Sequence, residues 1–292
     1  MAQDPRVLLQ KADKALQSAS GGFNWFGSKA EKYENAADLY QQAANAFRLQ
    51  KMNKEAGQAF EKAASVHRDN LNEPDDAAQS LIEAFKVYRK TDPEDAARVL
   101  QGAIQHYTSK GNFRRAASYE QNLAELYEVE LGDEKAALEA YEKTAEWFES
   151  DNAEALANKN FLKVAELAAS IKDYYKAIEY FERVGKSSID NHLTKWSVKD
   201  YFMKAAMCHL ATTDLVATRR ALQNYVDLDN TFLSTREYAL LNDLTQAVED
   251  GDADAFADKL FAYDQMSKLD RWKTTIFLRI KETIQENEED FS

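Results

Sequence analysis

A pair of small residues, followed eleven positions later by a large ring, recurs six times in the first half of this chain. The pairs are Ala36-Ala37, Ala56-Gly57, Ala77-Ala78, Ala96-Ala97, Ala116-Ala117 and Ala136-Ala137, spaced by 20, 21, 19, 20 and 20 residues. The rings are Phe47, His67, Tyr88, Tyr107, Tyr127 and Trp147. Eleven residues make about three turns of an α-helix, so each pair and its ring share one face. The small residues let a neighbouring helix approach closely, and the ring fills the space further along. Each unit therefore reads as one helix plus a short turn.

Two such units make a helical hairpin of about forty residues, longer than the 34 of a standard tetratricopeptide (TPR) repeat. The expected fold class is all-α: a TPR-like helical-hairpin solenoid, an α-α superhelix, followed by a C-terminal helical bundle. Pro74 and Pro93 fall where helices should start, each with acidic residues behind it. Gly111, Gly132 and Gly185 are expected at helix ends. The chain has only 9 Gly and 3 Pro in 292 residues, too few for the many tight turns of a sandwich, barrel or propeller. Past Asp214 the register changes, and apolar spacing predicts helices over 237–248, 253–266 and 273–284. The expected division is 1–214, the solenoid, with an apolar loop at 21–28, and 215–292, an acidic bundle with a short tail. Of the net charge of −13, −9 lies in residues 221–292.

Several function classes drop out. An acidic chain disfavours non-specific nucleic-acid binding. Cys208 is the sole cysteine, so no intramolecular disulfide or Cys-rich zinc module is expected, and a reducing cytoplasmic setting fits. There is no run of 18 apolar residues. The chain has no G-x-x-x-x-G-K-[ST], G-x-G-x-x-G or H-E-x-x-H. His67, His106, His192 and His209 are scattered; only His209 has a possible ligand beside it, Cys208, and neighbours on a helix point about 100° apart. No enzyme, cofactor or metal site is expected.

Three surfaces remain. The first is the glycine-bounded loop Gly21-Gly22-Phe23-Asn24-Trp25-Phe26-Gly27-Ser28. Its rings either fold back onto the first hairpin or dip into a membrane interface, where each could gain about 1.5–3 kcal/mol. The second is basic: Lys159 and Lys163, one helical turn apart; Arg114-Arg115 at a helix start; and Lys195 with Lys199. It is either an ordinary solvated face or a stripe for an elongated acidic partner. The third is acidic: Glu249-Asp250 before the Asp252 turn, and the tail over 286–290 ahead of Phe291. It is either capping and a solvating terminus or a dock for a basic partner.

At these residues the chain resembles the soluble NSF-attachment proteins, the SNAP family, most closely the alpha type. The resemblance runs essentially end to end. It is carried by Ala36-Ala37-Asp38-Leu39-Tyr40, Asn158-Lys159-Asn160-Phe161-Leu162-Lys163-Val164-Ala165, Lys199-Asp200-Tyr201-Phe202 and Leu269-Asp270-Arg271-Trp272-Lys273-Thr274-Thr275-Ile276. It implies an adaptor that hydrolyses nothing itself. Several copies would wrap an assembled SNARE four-helix complex (syntaxin-type and other SNAREs). The hexameric AAA ATPase NSF would dock on their C-terminal ends and pull the SNAREs apart for another round of membrane fusion.

By that resemblance Phe23, Trp25 and Phe26 touch the membrane, and Lys159, Lys163 and Lys199 face the SNAREs. Arg114 and Arg115 are expected to replace two basic family positions that are Asn112 and Ser118 here. Asp214, Glu249, Asp250, Glu288, Glu289, Asp290 and Phe291 would face NSF, with Gln246 at a further acidic position and Phe291 in place of the family's penultimate leucine. The expected protein is cytoplasmic, peripheral on the cytosolic face of membranes, and monomeric when free. The rival expectation is a generic TPR-like scaffold that binds a peptide tail; that reading leaves the aromatic loop and Phe291 unexplained.

Overall fold

Nearly every small pair is buried, Ala136 being the half-buried exception, and these pairs set how closely the helices approach. A computed structural model of the chain describes residues 4–20 and 28–290, with side chains through residue 286. Every regular element among the described residues is helical, in two compact units, Met1–Ala153 and Glu154–Ser292.

The first unit holds α1 (Pro5–Ser20), α2 (Lys29–Leu49), α3 (Asn53–Val66), α4 (Pro74–Tyr88), α5 (Pro93–Ser109), α6 (Phe113–Leu126) and α7 (Glu134–Ser150). Each packs against the next, as hairpins stacked in chain order. Gly57 permits a close approach: an added Cβ there would lie 2.2 Å from Cζ of Tyr88. That glycine is there because the ring of the following unit occupies its side-chain space. The tyrosine hydroxyls finish the seams: Tyr40 donates to Asp13 at 2.6 Å, Tyr88 to Glu61 at 2.8 Å and Tyr141 to Glu128 at 2.7 Å.

Local sequence sets the helix ends. Ser28 and Glu31 form a reciprocal capping box at α2. Pro74 and Pro93 open α4 and α5 as expected. Two connections differ from a simple turn. Past α3 and α6 the chain makes one π-helical turn, His67–Leu71 and Tyr127–Leu131, then a left-handed residue, Asn72 (φ 58°) and Gly132 (φ 66°). The two π-turns lie sixty residues apart in the numbering, so matched turn geometry recurs every three helices. Gln41 and Gln101 repeat with them: Gln41 meets the His67 ring at 3.3 Å and Gln101 donates to the Tyr127 hydroxyl at 2.9 Å.

The second unit holds α8 (Glu154–Ser170), α9 (Tyr174–Ser188), α10 (Val198–Ala211), α11 (Leu215–Leu228), α12 (Arg236–Asp250), α13 (Ala253–Met266) and α14 (Arg271–Asp290). Here α10 packs against α9, α11, α12 and α14, and α14 returns to α8. The boundary expected at 214/215 falls inside this unit, at the α10–α11 turn. Gly185 is not at a helix end, as its type suggested. It lies within α9, where an added Cβ would come 2.7 Å from Cε1 of Phe202. Phe202 in turn stacks on Tyr225 (4.5 Å) and meets Phe232 edge-on (5.7 Å).

The start of α14 is pinned by polar groups. Trp272 Nε1 donates to the Glu166 carbonyl at 3.1 Å, and Arg279 donates to the carbonyls of Ala169 and Ser170, both at 2.9 Å. Lys273 bridges Asp200 (2.6 Å) and Asp270 (3.3 Å), while Lys204 pairs with Glu166 (2.8 Å) and lies 5.5 Å over the Trp272 ring. The stretch from Leu269 to Ile276 thus carries a polar lock on α8 and α10.

Candidate functional site

Lysines 159 and 163 stand on α8 because its other face is spent. Phe161, Val164, Ala165 and Ala168 are buried, leaving Lys159 exposed and Lys163 half-buried one turn on. Lys199, exposed at the start of α10, is paired at 3.1 Å with the nearly buried carboxylate of Glu237. Arg114 and Arg115 belong to the other unit, in the first turn of α6. Arg114 pairs with Asp151 at 3.2 Å, and the Arg115 guanidinium lies 4.5 Å over the Tyr107 ring. Both remain exposed.

One feature escaped the sequence reading. Between α9 and α10, Leu193 is 90% exposed and Trp196 77% exposed, with Lys195 Nζ 5.1 Å over the indole. Asn191 orders this segment: its side chain accepts from the Leu193 N–H at 2.9 Å, and its carbonyl accepts from the Lys195 N–H at 2.8 Å. A large apolar pair so exposed, three and six residues ahead of Lys199, is out of place on an ordinary solvated face. The available signal was a Trp set among polar residues between two helical patterns.

The acidic candidates gather at helix ends. Asp214 caps α11, accepting from the Ala217 N–H at 2.8 Å. Glu249 pairs with Arg219, and Asp250 accepts from Gln246 at 2.9 Å. Glu249, Asp250 and the two neighbours of Asp214, Thr213 and Leu215, line one cleft of about 680 Å³. So the structure brings Asp214's turn to Glu249 and Asp250. Glu288, Glu289 and Asp290 continue the backbone of α14, and their side chains lie outside the described residues, as do Phe291 and the loop residues Phe23, Trp25 and Phe26.

Buried titratable groups serve packing. Cys208 is fully buried, and burial pushes its thiol far up. Burial opposes ionisation of Glu182, yet hydrogen bonds from His209, Tyr225 and Lys186 outweigh it and bring the carboxyl down to about 2. The structure also gathers His67, Glu73 and Asp76, with candidate ligand atoms within 4.8 Å of one another. The His67 ring is already engaged there, by Gln41 at Nε2 and by Glu73 at Nδ1 (2.9 Å). What these surfaces offer is recognition: exposed cations with apolar anchors, and an acidic cleft.

Comparison with known proteins converges on one group. The family model for "Soluble NSF attachment protein, SNAP" matches residues 3–285. Proteins described as "Probable vesicular-fusion protein sec17 homolog" are similar over 292 residues and 100% of both chains: 53% identical in Schizosaccharomyces pombe and 52% in Neurospora crassa. The Homo sapiens "Alpha-soluble NSF attachment protein" is 38% identical over 284 residues, 97% of this chain and 96% of that one.

Proposed function

The chain belongs to the soluble NSF attachment protein family, and from that premise we propose that it is a non-catalytic adaptor in vesicle fusion. It binds assembled SNARE four-helix complexes through basic side chains and recruits and stimulates an NSF-type AAA ATPase that takes them apart. The observation that carries this reading is the full-length relationship to vesicular-fusion proteins, with no part of either chain left over.

The geometry supports the division of labour. Lys159, Lys163 and Lys199, with Arg114 and Arg115, meet acidic SNARE surface. Exposed ion pairs are worth only about 0–1 kcal/mol each. Leu193 and Trp196 then supply what charge cannot, an apolar anchor in the segment leading to Lys199 that holds the complex once electrostatics has steered it. Asp214, Glu249 and Asp250, with Glu288, Glu289, Asp290 and Phe291, serve the ATPase. Phe23, Trp25 and Phe26 add weak membrane attachment, useful as a second contact. The adaptor works from the cytosolic face of membranes; no helix among the described residues is long and apolar enough to cross one.

The test follows ATP-dependent disassembly of a pre-assembled SNARE bundle by NSF with this chain added. Disassembly is expected, and it is expected to vanish in Lys159→Glu/Lys163→Glu with the melting temperature unchanged. Bundle binding without disassembly would refute the ATPase-recruiting half. No bundle binding at low salt would refute the SNARE half and favour a generic peptide-binding scaffold.

A further inference from the structure

The turn after α3 gathers a histidine and two carboxylates that its backbone does not need. The chain has 50 Asp and Glu residues, yet among the described residues only His67, Glu73 and Asp76 form a group of three potential ligands close enough to share one ion. The backbone brings them together. His67 opens the π-helical turn, Asn72 takes the left-handed conformation that ends it, and the Glu73 N–H donates to the His67 carbonyl at 2.9 Å. Glu73 thus folds back to the imidazole, its carboxylate 2.9 Å from Nδ1. Asp76 follows in the first turn of α4.

The second π-turn shows what such a turn requires. It is built around Tyr127, with Gly132 left-handed and the Asp133 N–H donating to the Tyr127 carbonyl at 2.9 Å. The positions that match His67, Glu73 and Asp76 are there Tyr127, Asp133 and Ala136. The same turn therefore forms without an imidazole and without the third side chain. What separates the copies is donor chemistry: an imidazole nitrogen and two carboxylates in the first, one carboxylate beside a phenol in the second.

The geometry of the first copy suits a metal ion. Two ligands of one zinc ion, each about 2.1 Å from it, lie roughly 3–3.5 Å apart. The pair formed by Nδ1 and Glu73 needs only a slight opening to reach that separation. The candidate ligand atoms all lie within 4.8 Å of one another, and the exposed Asp76 side chain can swing inward. The His67 side chain is 12% exposed and that of Glu73 40%, so an inner ligand sits behind one that faces solvent and leaves a way in. The far ring nitrogen is provided for as well, since Gln41 meets Nε2 at 3.3 Å. A carboxamide can donate or accept. Its N–H serves Nε2 while the ring proton sits on Nδ1 and faces Glu73. Its oxygen serves Nε2–H once that proton has moved across and left the Nδ1 lone pair for a metal. A partner on the other nitrogen is what orients ligating histidines generally.

The geometry points to a divalent transition-metal site made by His67, Glu73 and Asp76, with water completing the coordination and Gln41 orienting the imidazole. The mixed imidazole and carboxylate donors favour Zn²⁺ over Mg²⁺ and Ca²⁺, which take oxygen ligands. The ion fastens the end of α3 to the start of α4, in the first π-turn and not in the second.

The experiment titrates the full chain, stripped with a chelator, with ZnCl₂ in a calorimeter. One Zn²⁺ per chain is expected, held against excess Mg²⁺ or Ca²⁺, with a raised melting temperature. On adding Zn²⁺, the NMR signal of the His67 ring proton should move from Nδ1 to Nε2. His67→Tyr/Asp76→Ala writes residues of the second turn into the first, so it should fold normally and lose the site. Asp76→Asn changes one exposed side chain and Gln41→Leu removes the orienting amide; each should weaken Zn²⁺ binding about tenfold or more. Absence of Zn²⁺ binding overturns the inference. So does wild-type affinity in His67→Tyr/Asp76→Ala or in Asp76→Asn, or displacement of Zn²⁺ by equimolar Mg²⁺.

Discussion

Gly57 and Gly185 do the same job in the two units, yet the rings above them are secured differently. Each glycine leaves a gap that a ring from a neighbouring helix fills, Tyr88 over Gly57 and Phe202 over Gly185. In the first unit the ring also carries a tether: the Tyr88 hydroxyl reaches Glu61, just as Tyr40 reaches Asp13 and Tyr141 reaches Glu128. Packing and hydrogen bond sit on one residue, and the arrangement repeats along the chain. In the second unit the roles are split. Phe202 packs within a ring cluster, and Tyr225 makes the tether, to Glu182. Stacked repeats can reuse one local solution; a unit where α10 touches four helices concentrates its stability at a hub.

That difference can be broken experimentally. The largest effect should come from the hub: Phe202→Ala removes a fully buried ring from between Tyr225 and Phe232 and should cost about 3–5 kcal/mol, read from urea unfolding. Next is acid. The folded Glu182 carboxyl titrates near 2, below its ordinary 4.5, so the proton binds the unfolded chain more readily. The stability it contributes is present above about pH 4.5 and is lost as the pH falls toward 2, amounting to at most about 3 kcal/mol once partial solvent screening is allowed for. Glu182→Gln should flatten that part of the pH–stability profile; a profile unchanged from wild type would show that other carboxylates govern it.

Gly57→Ala should cost about 1–3 kcal/mol, because the Tyr88 ring must move away from the new methyl and drag its tether to Glu61. A stabilised variant would mean that the ring shifts freely and that the tether is slack. The smallest effect belongs to the tether alone. Tyr88→Phe keeps the ring and should cost about 0.5–1.5 kcal/mol by differential scanning calorimetry. A loss as large as that of Phe202→Ala would erase the distinction between the units.

Much of the fold was legible because the first unit is local. Small pairs and rings eleven residues apart report helix faces directly, and Pro74 and Pro93 mark helix starts whatever packs on them. The π-turns were not legible. Their cue is a ring six residues ahead of a carboxylate, His67 to Glu73 and Tyr127 to Asp133, and it has meaning only once Gln41 and Gln101 are known to face those rings. Gly185 was misread for a related reason: composition says that a glycine is unusual in a helix but does not say which ring lies over it. At the site, the Lys159–Lys163 pair could be read from helical spacing. Leu193 and Trp196 could not, since nothing in a short inter-helix segment states that its apolar side chains fail to find a core.

The hydrogen bonds between α14 and α8 have a mechanical consequence. Trp272 and Arg279 grip the carbonyls of Glu166, Ala169 and Ser170, bridging sequence separations of 106 to 110 residues. A pull on the far end of α14 therefore need not travel back through the intervening chain. It passes through these three hydrogen bonds onto the helix that displays Lys159 and Lys163. The first and last helices of this unit therefore bear load together.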